Sequence, residues 1–484
     1  MKRTLFFAVF ISLGMSMSVG CSTNVVEEYE FIRLDKANIS FLGKDNSAVE
    51  IKVEASGDWS VESSASWLKI EEQTNNSVTI NVDDNYSETE RETSLVFALG
   101  GAREELRVNQ LVCSGNYLYR YPNIFDLGAV MSPNGRYVGG IVPELVGDNT
   151  WIKHVVIIDL ATDEWHYVAS EYDSPEISLS APYAITDQGL FFVMDASKIG
   201  FGSVGYDLEG NVVFPSKVPG FQQEGNVQAV SADGRTWVGY ATDKRLGDGG
   251  LYYPVKWEDN VPVVLEMPEK NYRGYDFYMG GIMARGMSHD GRVIYGTSWD
   301  DKDMGMCYWK DGKFAWVGED QRTMHEVELD TGTGSTVTET IVDGMTCGAE
   351  LTNISPNGKW IAGTWREETA PGIGTEYPGF FDTENEKTYI FRDMPGCRGA
   401  HATDDGVGFI HGGFMSNTGT VVDIEAGVVL GTMKEWIQDN FGMVSGDGTI
   451  VYVTPDKQTL LSFVIEFNAV GPRTVYWYIT PDIR

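Results

Sequence analysis

One pattern returns seven times in this chain and limits its fold more than any other feature. An apolar residue precedes Ser or Thr, then a free position, then most often Asp or Asn, then Gly. The copies are "MSPNGRYVGG" from Met131, "ITDQGLFFV" from Ile185, "VSADGRTWVGY" from Val230, "MSHDGRVIYGTS" from Met287, "ISPNGKWIAGTW" from Ile354, "ATDDGVGFIHGG" from Ala402 and "VSGDGTIVYVTP" from Val444. The shared glycines are Gly135, Gly189, Gly234, Gly291, Gly358, Gly406 and Gly448, between 42 and 67 residues apart. An Asx side chain that bonds the backbone, followed by Gly at positive φ, makes a tight turn. Apolar runs on both sides make it a turn between strands. Further runs follow each copy, as in "HVVIIDLATDEWHYV", "YYPVKWEDNVPVVLEM", "CYWKDGKFAWVG" and "GFFDTENEKTYIF", each folded around a polar turn. One repeat therefore holds about four strands, and four-stranded repeats of this period are propeller blades. Residues 113–484 hold about seven blades of roughly 53 residues each. The irregular second and sixth copies leave six or eight open.

The copy at Val230 is one spacer short of the Asp-box of sialidase propellers, S-x-D-x-G-x-T-W, because Asp233 and Gly234 are adjacent. Its spacing is that of the other copies, so Asp233 reads as a turn residue and not as a catalytic acid. As a set the copies resemble the "SPDGK" repeats of TolB-type propellers and the HAF-type repeats of some exported proteins. That resemblance implies an architecture and leaves function open, since propellers carry enzymes, adhesins and scaffolds. The turns join the innermost strand of each blade to the second. All of them then share one face, and the long loops share the other.

Ahead of the repeats, "NSAVEIKVEASGDWSVESSASWLKIEE", "NSVTINVDDN" and "ETSLVFALGGAREELRVNQ" alternate with period two in short runs. This predicts an immunoglobulin-like β-sandwich over residues 29–112. The chain here resembles a BACON domain, through Gly57-Asp58-Trp59-Ser60-Val61, Ser66-Trp67-Leu68, Asn85, Arg91 and Val108-Asn109-Gln110. The family's name, Bacteroidetes-associated and carbohydrate-binding, implies sugar binding, and a spacer role is the alternative. Trp59 and Trp67 fall inside apolar runs and read as core residues. The expected fold class is thus all-β, a sandwich followed by a propeller, as 55 Gly and 12% aromatic residues also favour.

Residues 1–20, "MKRTLFFAVFISLGMSMSVG", have a basic start and a short apolar run, the plan of a secretory signal. Ser18-Val19-Gly20-Cys21 resembles a bacterial lipobox, with Ser18 where Leu is usual. Cys21 is the expected lipidation site, which makes the chain an outer-membrane lipoprotein held by acyl chains. Removing residues 1–20 takes away Lys2 and Arg3 and no acid, so the formal charge of −34 becomes −36. Such a surface repels nucleic acid. It suits divalent cations, cationic ligands or neutral glycans. Cys113, Cys307, Cys347 and Cys397 lack zinc-site spacing. They read as small buried residues, with a Cys347–Cys397 disulfide left open.

Three patches on the loop-rich side are candidate ligand sites. Tyr272, Arg273, Tyr275 and Asp276, with Phe277 and Tyr278, combine rings for sugar faces with charges for hydroxyls. Trp299 precedes Asp300, Asp301 and Asp303, three carboxylates at a spacing usable for Ca²⁺. Trp365 and Arg366 precede Glu367 and Glu368. The longest insertion, "GEDQRTMHEVELDTGTGSTVTETIVDGMTCG", is expected to be a loop. No G-x-S-x-G or H-E-x-x-H motif occurs, and His154, His166, His289, His325, His401 and His411 scatter over different repeats. "TMKEWIQDNFG" predicts a short amphipathic helix with Trp436, Ile437 and Phe441 inward.

The expected function is non-catalytic binding of a glycan or other extracellular ligand by a monomer, with no required cofactor. A polysaccharide hydrolase or lyase using carboxylates is the second reading. An envelope scaffold that binds protein partners is the third.

Overall fold

The computed structural model describes residues 30–479 apart from 37, 42–45, 47, 84, 86–89, 111–115, 118, 123–127, 147–149, 163, 172–176, 196, 198–201, 223–224, 245–249, 278–279, 300–303, 331, 333–334, 348–352, 413–418, 442, 445–448 and 467–473. The leader, Cys21, Cys113, Tyr278, Asp300, Asp301, Asp303 and the turn at 445–448 lie outside the described residues.

The N-terminal module is a sandwich of two four-stranded sheets. One orders Ile32–Leu34, Val49–Ala55, Ser77–Val82 and Leu68–Gln73; the other orders Asn38–Phe41, Ala102–Gln110, Arg91–Leu99 and Ser60–Ser63. Alternate residues such as Ile51, Val53, Val78, Ile80, Leu95, Phe97, Leu106 and Val108 fill the space between them. Trp59 is in this core, with its Nε1 donating to the Asn75 carbonyl. Trp67 is half-buried under the Arg91 guanidinium. The module meets the first repeat sheet, where Lys52 Nζ lies 3.2 Å from Glu164 Oε1. There burial, and then the Glu144 charge, push the Glu104 carboxyl up to about 7.

Seven units of antiparallel strands follow among the described residues, the third and fourth joined into one sheet by parallel pairing of Leu251 and Tyr252 with Gly280 and Gly281. The first runs Ala129–Met131, Tyr137–Val146, Thr150–Asp159, Glu164–Ser170. The second runs Leu179–Ile185, Phe191–Asp195, Ser203–Tyr206, Val212–Val213. The third is Asn226–Val230, Thr236–Thr242, Leu251–Glu258, Val261–Val264, and the fourth is Gly280–Met287, Val293–Trp299, Met306–Lys310, Lys313–Trp316. The fifth holds Trp360–Ala370, Ile373–Asp382 and Lys387–Ile390, with the hairpin Thr323–Asp330 and Thr336–Thr346 at its inner edge. The sixth is Cys397–Ala402, Val407–Gly412, Gly419–Asp423, Val428–Thr432. The seventh takes Thr449–Val453, Leu460–Glu466 and Thr474–Ile479, and its outer strand is Tyr119–Pro122 from the start of the repeats.

The Ser/Thr-x-Asx-Gly turns link inner to second strands, as the sequence predicts. In the third, Ser231 N bonds the Thr236 carbonyl, Gly234 N bonds the Ser231 carbonyl, and Asp233 Oδ1 accepts from Ser231 Oγ and Arg235 N. Those hydrogen bonds hold the Asp233 carboxyl below its ordinary range, so Asp233 is structural. Gly234 has φ 72°, a conformation that costs a side-chain-bearing residue about 1–2 kcal/mol.

The seventh turn is not where the sequence pattern puts it. Thr454-Pro455-Asp456-Lys457 makes the same bonds, with Thr454 N to the Thr459 carbonyl, Lys457 N to the Thr454 carbonyl and Thr454 Oγ1 to Asp456 at 2.6 Å. Lys457 takes the glycine position at φ 56°. The turns touch in series. Asn134 N bonds Asp187, the Ala232 amide bonds the His289 carbonyl, His289 N bonds the Pro356 carbonyl, Asn357 N bonds Asp404, and Lys457 pairs with Asp405. Tyr452 in the seventh sheet returns to the first through the Pro133 carbonyl.

The helix is Met433–Phe441, capped by Thr432 and Glu435, with Met433, Trp436 and Ile437 packed on Phe409 and Val421. Cys307 and Cys397 are free thiols, and Cys347 packs against the core shared by the fourth and fifth sheets. Burial, and then the neighbouring Cys347, push the Cys307 thiol up.

Candidate functional site

The face opposite the turns carries the extended ends of the second and third strands. The segments expected as loops there are mostly hairpins. "WREETAPGIGTEYPG" lies within Trp360–Ala370 and Ile373–Asp382, and much of the long insertion forms Thr323–Asp330 paired with Thr336–Thr346. Alternating Thr, Val and Glu in these stretches favours ladder pairing over irregular structure.

The Tyr272 patch is largely built into this scaffold. Tyr272 is 1% exposed and fills a slot between Gly305 and Gly344, where a Cβ on either glycine would meet its ring or hydroxyl. The Arg322 guanidinium lies 4.5 Å from its ring centre, and Trp316 meets it edge-on at 5.0 Å. Arg273 is also buried. Its two terminal nitrogens each reach a Glu368 oxygen at 2.7 Å, and Nη1 also donates to the Thr340 carbonyl. Glu368 accepts further bonds from Val342 N and Gly372 N. This ion pair ties the 266–277 segment to the fifth sheet. Tyr275 stays 45% exposed, with its hydroxyl donating to Thr340 Oγ1 at 2.7 Å. Asp276 is exposed and paired with Lys270.

Trp299 ends its strand 41% exposed. Trp365 is 2% exposed in the core of the fourth and fifth sheets, so it presents no ring to a ligand. Arg366 is half-buried and 2.8 Å from Glu376, which also binds Arg398 at 2.9 Å. Burial pushes the Glu376 carboxyl up, but the two guanidiniums outweigh it and hold the group below its ordinary range. His411 stands opposite Arg398 in the sheet, and burial and then the Arg398 charge push its imidazole down. Tyr275, Trp299 and the Arg366–Glu376–Arg398 group are therefore the predicted or adjoining elements still open to a ligand.

On the turn face, a cavity of about 220 Å³ is lined by Pro356, Thr403, Asp404, Asp405, Val453, Thr454, Pro455 and Lys457. Beside it, Tyr452 Oη lies 2.8 Å from His289 Nε2, and the Val453 amide donates to His401 Nε2. Among the described residues no three His, Cys, Asp or Glu side chains are grouped to hold a metal ion. No helix among the described residues is long and apolar enough to cross a membrane, which says nothing of a β-barrel.

Sequence reasoning passed over one position. Three residues before the Ser or Thr of the second, third and fourth turns stand Tyr183, Gln228 and Arg285. Register shifts fall at each of these residues, so each lies at a bulge in its inner strand. Bulges re-aim side chains and are frequent beside binding sites. The offset from the turn motif was the available signal.

Among curated proteins, none matches the sequence. Solved structures similar to the chain include TolB from Acinetobacter baumannii, at 12% identity and TM-score 0.32, covering 61% of this chain and 58% of that one, under two thirds of its length. The β-propeller domain of the Trilobed protease from Pyrococcus furiosus aligns at 9% identity and TM-score 0.37, covering 82% and 96%. A quinoprotein alcohol dehydrogenase-like protein from Bacteroides thetaiotaomicron aligns at 10% identity and TM-score 0.34, covering 81% and 93%. Residues 57–111, the greater part of the sandwich, match the BACON family, described as "Putative binding domain, N-terminal".

Proposed function

We propose that this is an exported lipoprotein, anchored at the outer membrane through Cys21, that binds a glycan on the strand-end face of a seven-bladed propeller without acting on it. The observation that carries the reading is the pairing of exposed aromatic rings with a charged group on that face. Tyr275 and Trp299 are open to solvent on rigid strand-anchored segments, with Arg366, Glu376 and Arg398 on the same face. Aromatic rings with fixed polar groups are the means by which a surface recognises sugar. The match of the sandwich to a binding family supports a binding role, and the lipobox-like Ser18–Cys21 supports anchoring.

A glycan-array screen of the chain from residue 22 onward, with reducing-end release assayed on every hit, tests the binding reading. Binding without product is expected, and Trp299→Ala with Tyr275→Ala should weaken it about tenfold or more, as loss of buried anchor residues does. Product release would overturn the non-catalytic claim. Absence of any binding would favour a protein-binding scaffold. For the anchor, Cys21→Ala is expected to move the full-length chain from the membrane to the soluble fraction. Unchanged membrane association would remove that part of the proposal.

A further inference from the structure

Nine arginines of the repeats have described side chains, and eight of them pair with a carboxylate. They are Arg136, Arg235, Arg273, Arg292, Arg322, Arg366, Arg392 and Arg398. Arg285 is the ninth. Its one hydrogen bond runs from Nη1 to Gln228 Oε1 at 3.1 Å, and its Nε is buried with no partner. In a chain with 70 acidic and 36 basic residues, a guanidinium without an acid is a departure from its surroundings. Chance placement would more often have given it a carboxylate.

The neighbours of Arg285 are neutral hydrogen-bonding groups. Gln228 donates from Nε2 to Asn226 Oδ1, and Asn226 Nδ2 approaches Tyr183 Oη at 3.4 Å. Asn226 and Gln228 are 1% and 8% exposed, so their amides are fixed in place. The Arg285 charge also reaches Tyr240, Tyr252 and Tyr295, where it opposes the upward push that burial gives each phenol. The same bulged position holds Ala400 and Val451 in the sixth and seventh sheets. Among the described residues the bulged position is therefore polar in the second, third and fourth sheets, side by side.

We propose that Arg285, with Tyr183, Asn226 and Gln228, binds the carboxylate of an acidic sugar that carries a single negative charge. A guanidinium recognises a carboxylate through two parallel N–H donors, and the amides and phenols accept or donate to ring hydroxyls. The net charge of −34 repels a polyanion, which restricts the ligand to one acidic residue on an otherwise neutral glycan. The proposal rests on the glycan-binding reading and narrows it.

The test is calorimetric titration of the chain from residue 22 onward with galacturonate and glucuronate, their methyl esters, galactose and glucose. The acids should bind about 10- to 100-fold more tightly than the esters and neutral sugars, the range expected for a charge-assisted hydrogen bond. Arg285→Gln should remove that difference. Gln228→Glu places a carboxylate beside the guanidinium and should block the acids in the same way, so the test survives if Arg285→Gln folds poorly. Equal binding of acid and ester, or acid binding unchanged in both variants, overturns the acidic-sugar site and leaves glycan binding elsewhere intact. No binding by any sugar here or on the array overturns both.

Discussion

Replacing Arg273 by Ala should lower the unfolding free energy by about 3–5 kcal/mol, the cost of leaving one member of a buried ion pair alone. Glu368 would remain 7% exposed, with its carboxylate still held by the Val342 and Gly372 amides and no opposing charge. Urea unfolding of the chain from residue 22 onward reads the loss. The double substitution Arg273→Met with Glu368→Leu should recover most of it, since removing both charges also removes the desolvation penalty. An Arg273→Ala protein that unfolds at the parent's urea concentration would show that the pair is not structural. Arg273 would then be open again as a ligand residue, the role its loop composition first implies.

Acid should destabilise the fold through two histidines near the turn face. Burial pushes His289 down to about 4 and His401 to about 3. The unfolded chain protonates these groups near pH 6.5, while the folded chain keeps them neutral until well below that. The unfolded state therefore binds more protons across this window, and stability is lost as pH falls from about 6.5 towards 4. The loss should be on the order of a few kcal/mol, at about 1.4 kcal/mol per unit, less for the partly exposed His289. Thermal midpoints from pH 7.5 to 4.5 measure it. His401→Gln keeps an acceptor for the Val453 amide and should flatten the slope. Equal slopes in parent and variant would show that His401 does not govern it.

The sequence revealed the strand framework because each turn needs a local chemistry that cannot be disguised. Ser231, Asp233 and Gly234 are fixed by their own backbone bonds, whatever surrounds them. The same logic misplaced the seventh turn. Lys457 adopts the left-handed conformation without being glycine, and a well-formed Ser-Gly-Asp-Gly stands nine residues upstream. Long segments on the other face read as loops because Gly and Pro interrupt them, yet their alternating residues pair as hairpins.

The candidate site was less legible, because burial there is decided by distant partners. Tyr272 and Tyr275 are alike in sequence, but Gly305, Gly344 and Arg322 enclose one of them and leave the other open. Trp299 ends its strand in the open, whereas Trp365 lies midway along Trp360–Ala370 and packs into the core. Arg285 was missed because its significance is a missing partner, which no local pattern records.

The outer strand of the seventh sheet is Tyr119–Pro122, and it pairs with Thr474–Ile479, more than 350 residues further along the chain. The last sheet thus waits for Thr474–Ile479 before its clasp can shut, so this long-range pairing forms late in folding. Until then Tyr119–Pro122 presents an unpaired strand edge, a state in which edge-to-edge association is a hazard. The clasp strand also lies directly downstream of the sandwich. Force arriving from an N-terminal tether would reach Asn116–Tyr117, paired with Met443–Val444, and then this strand.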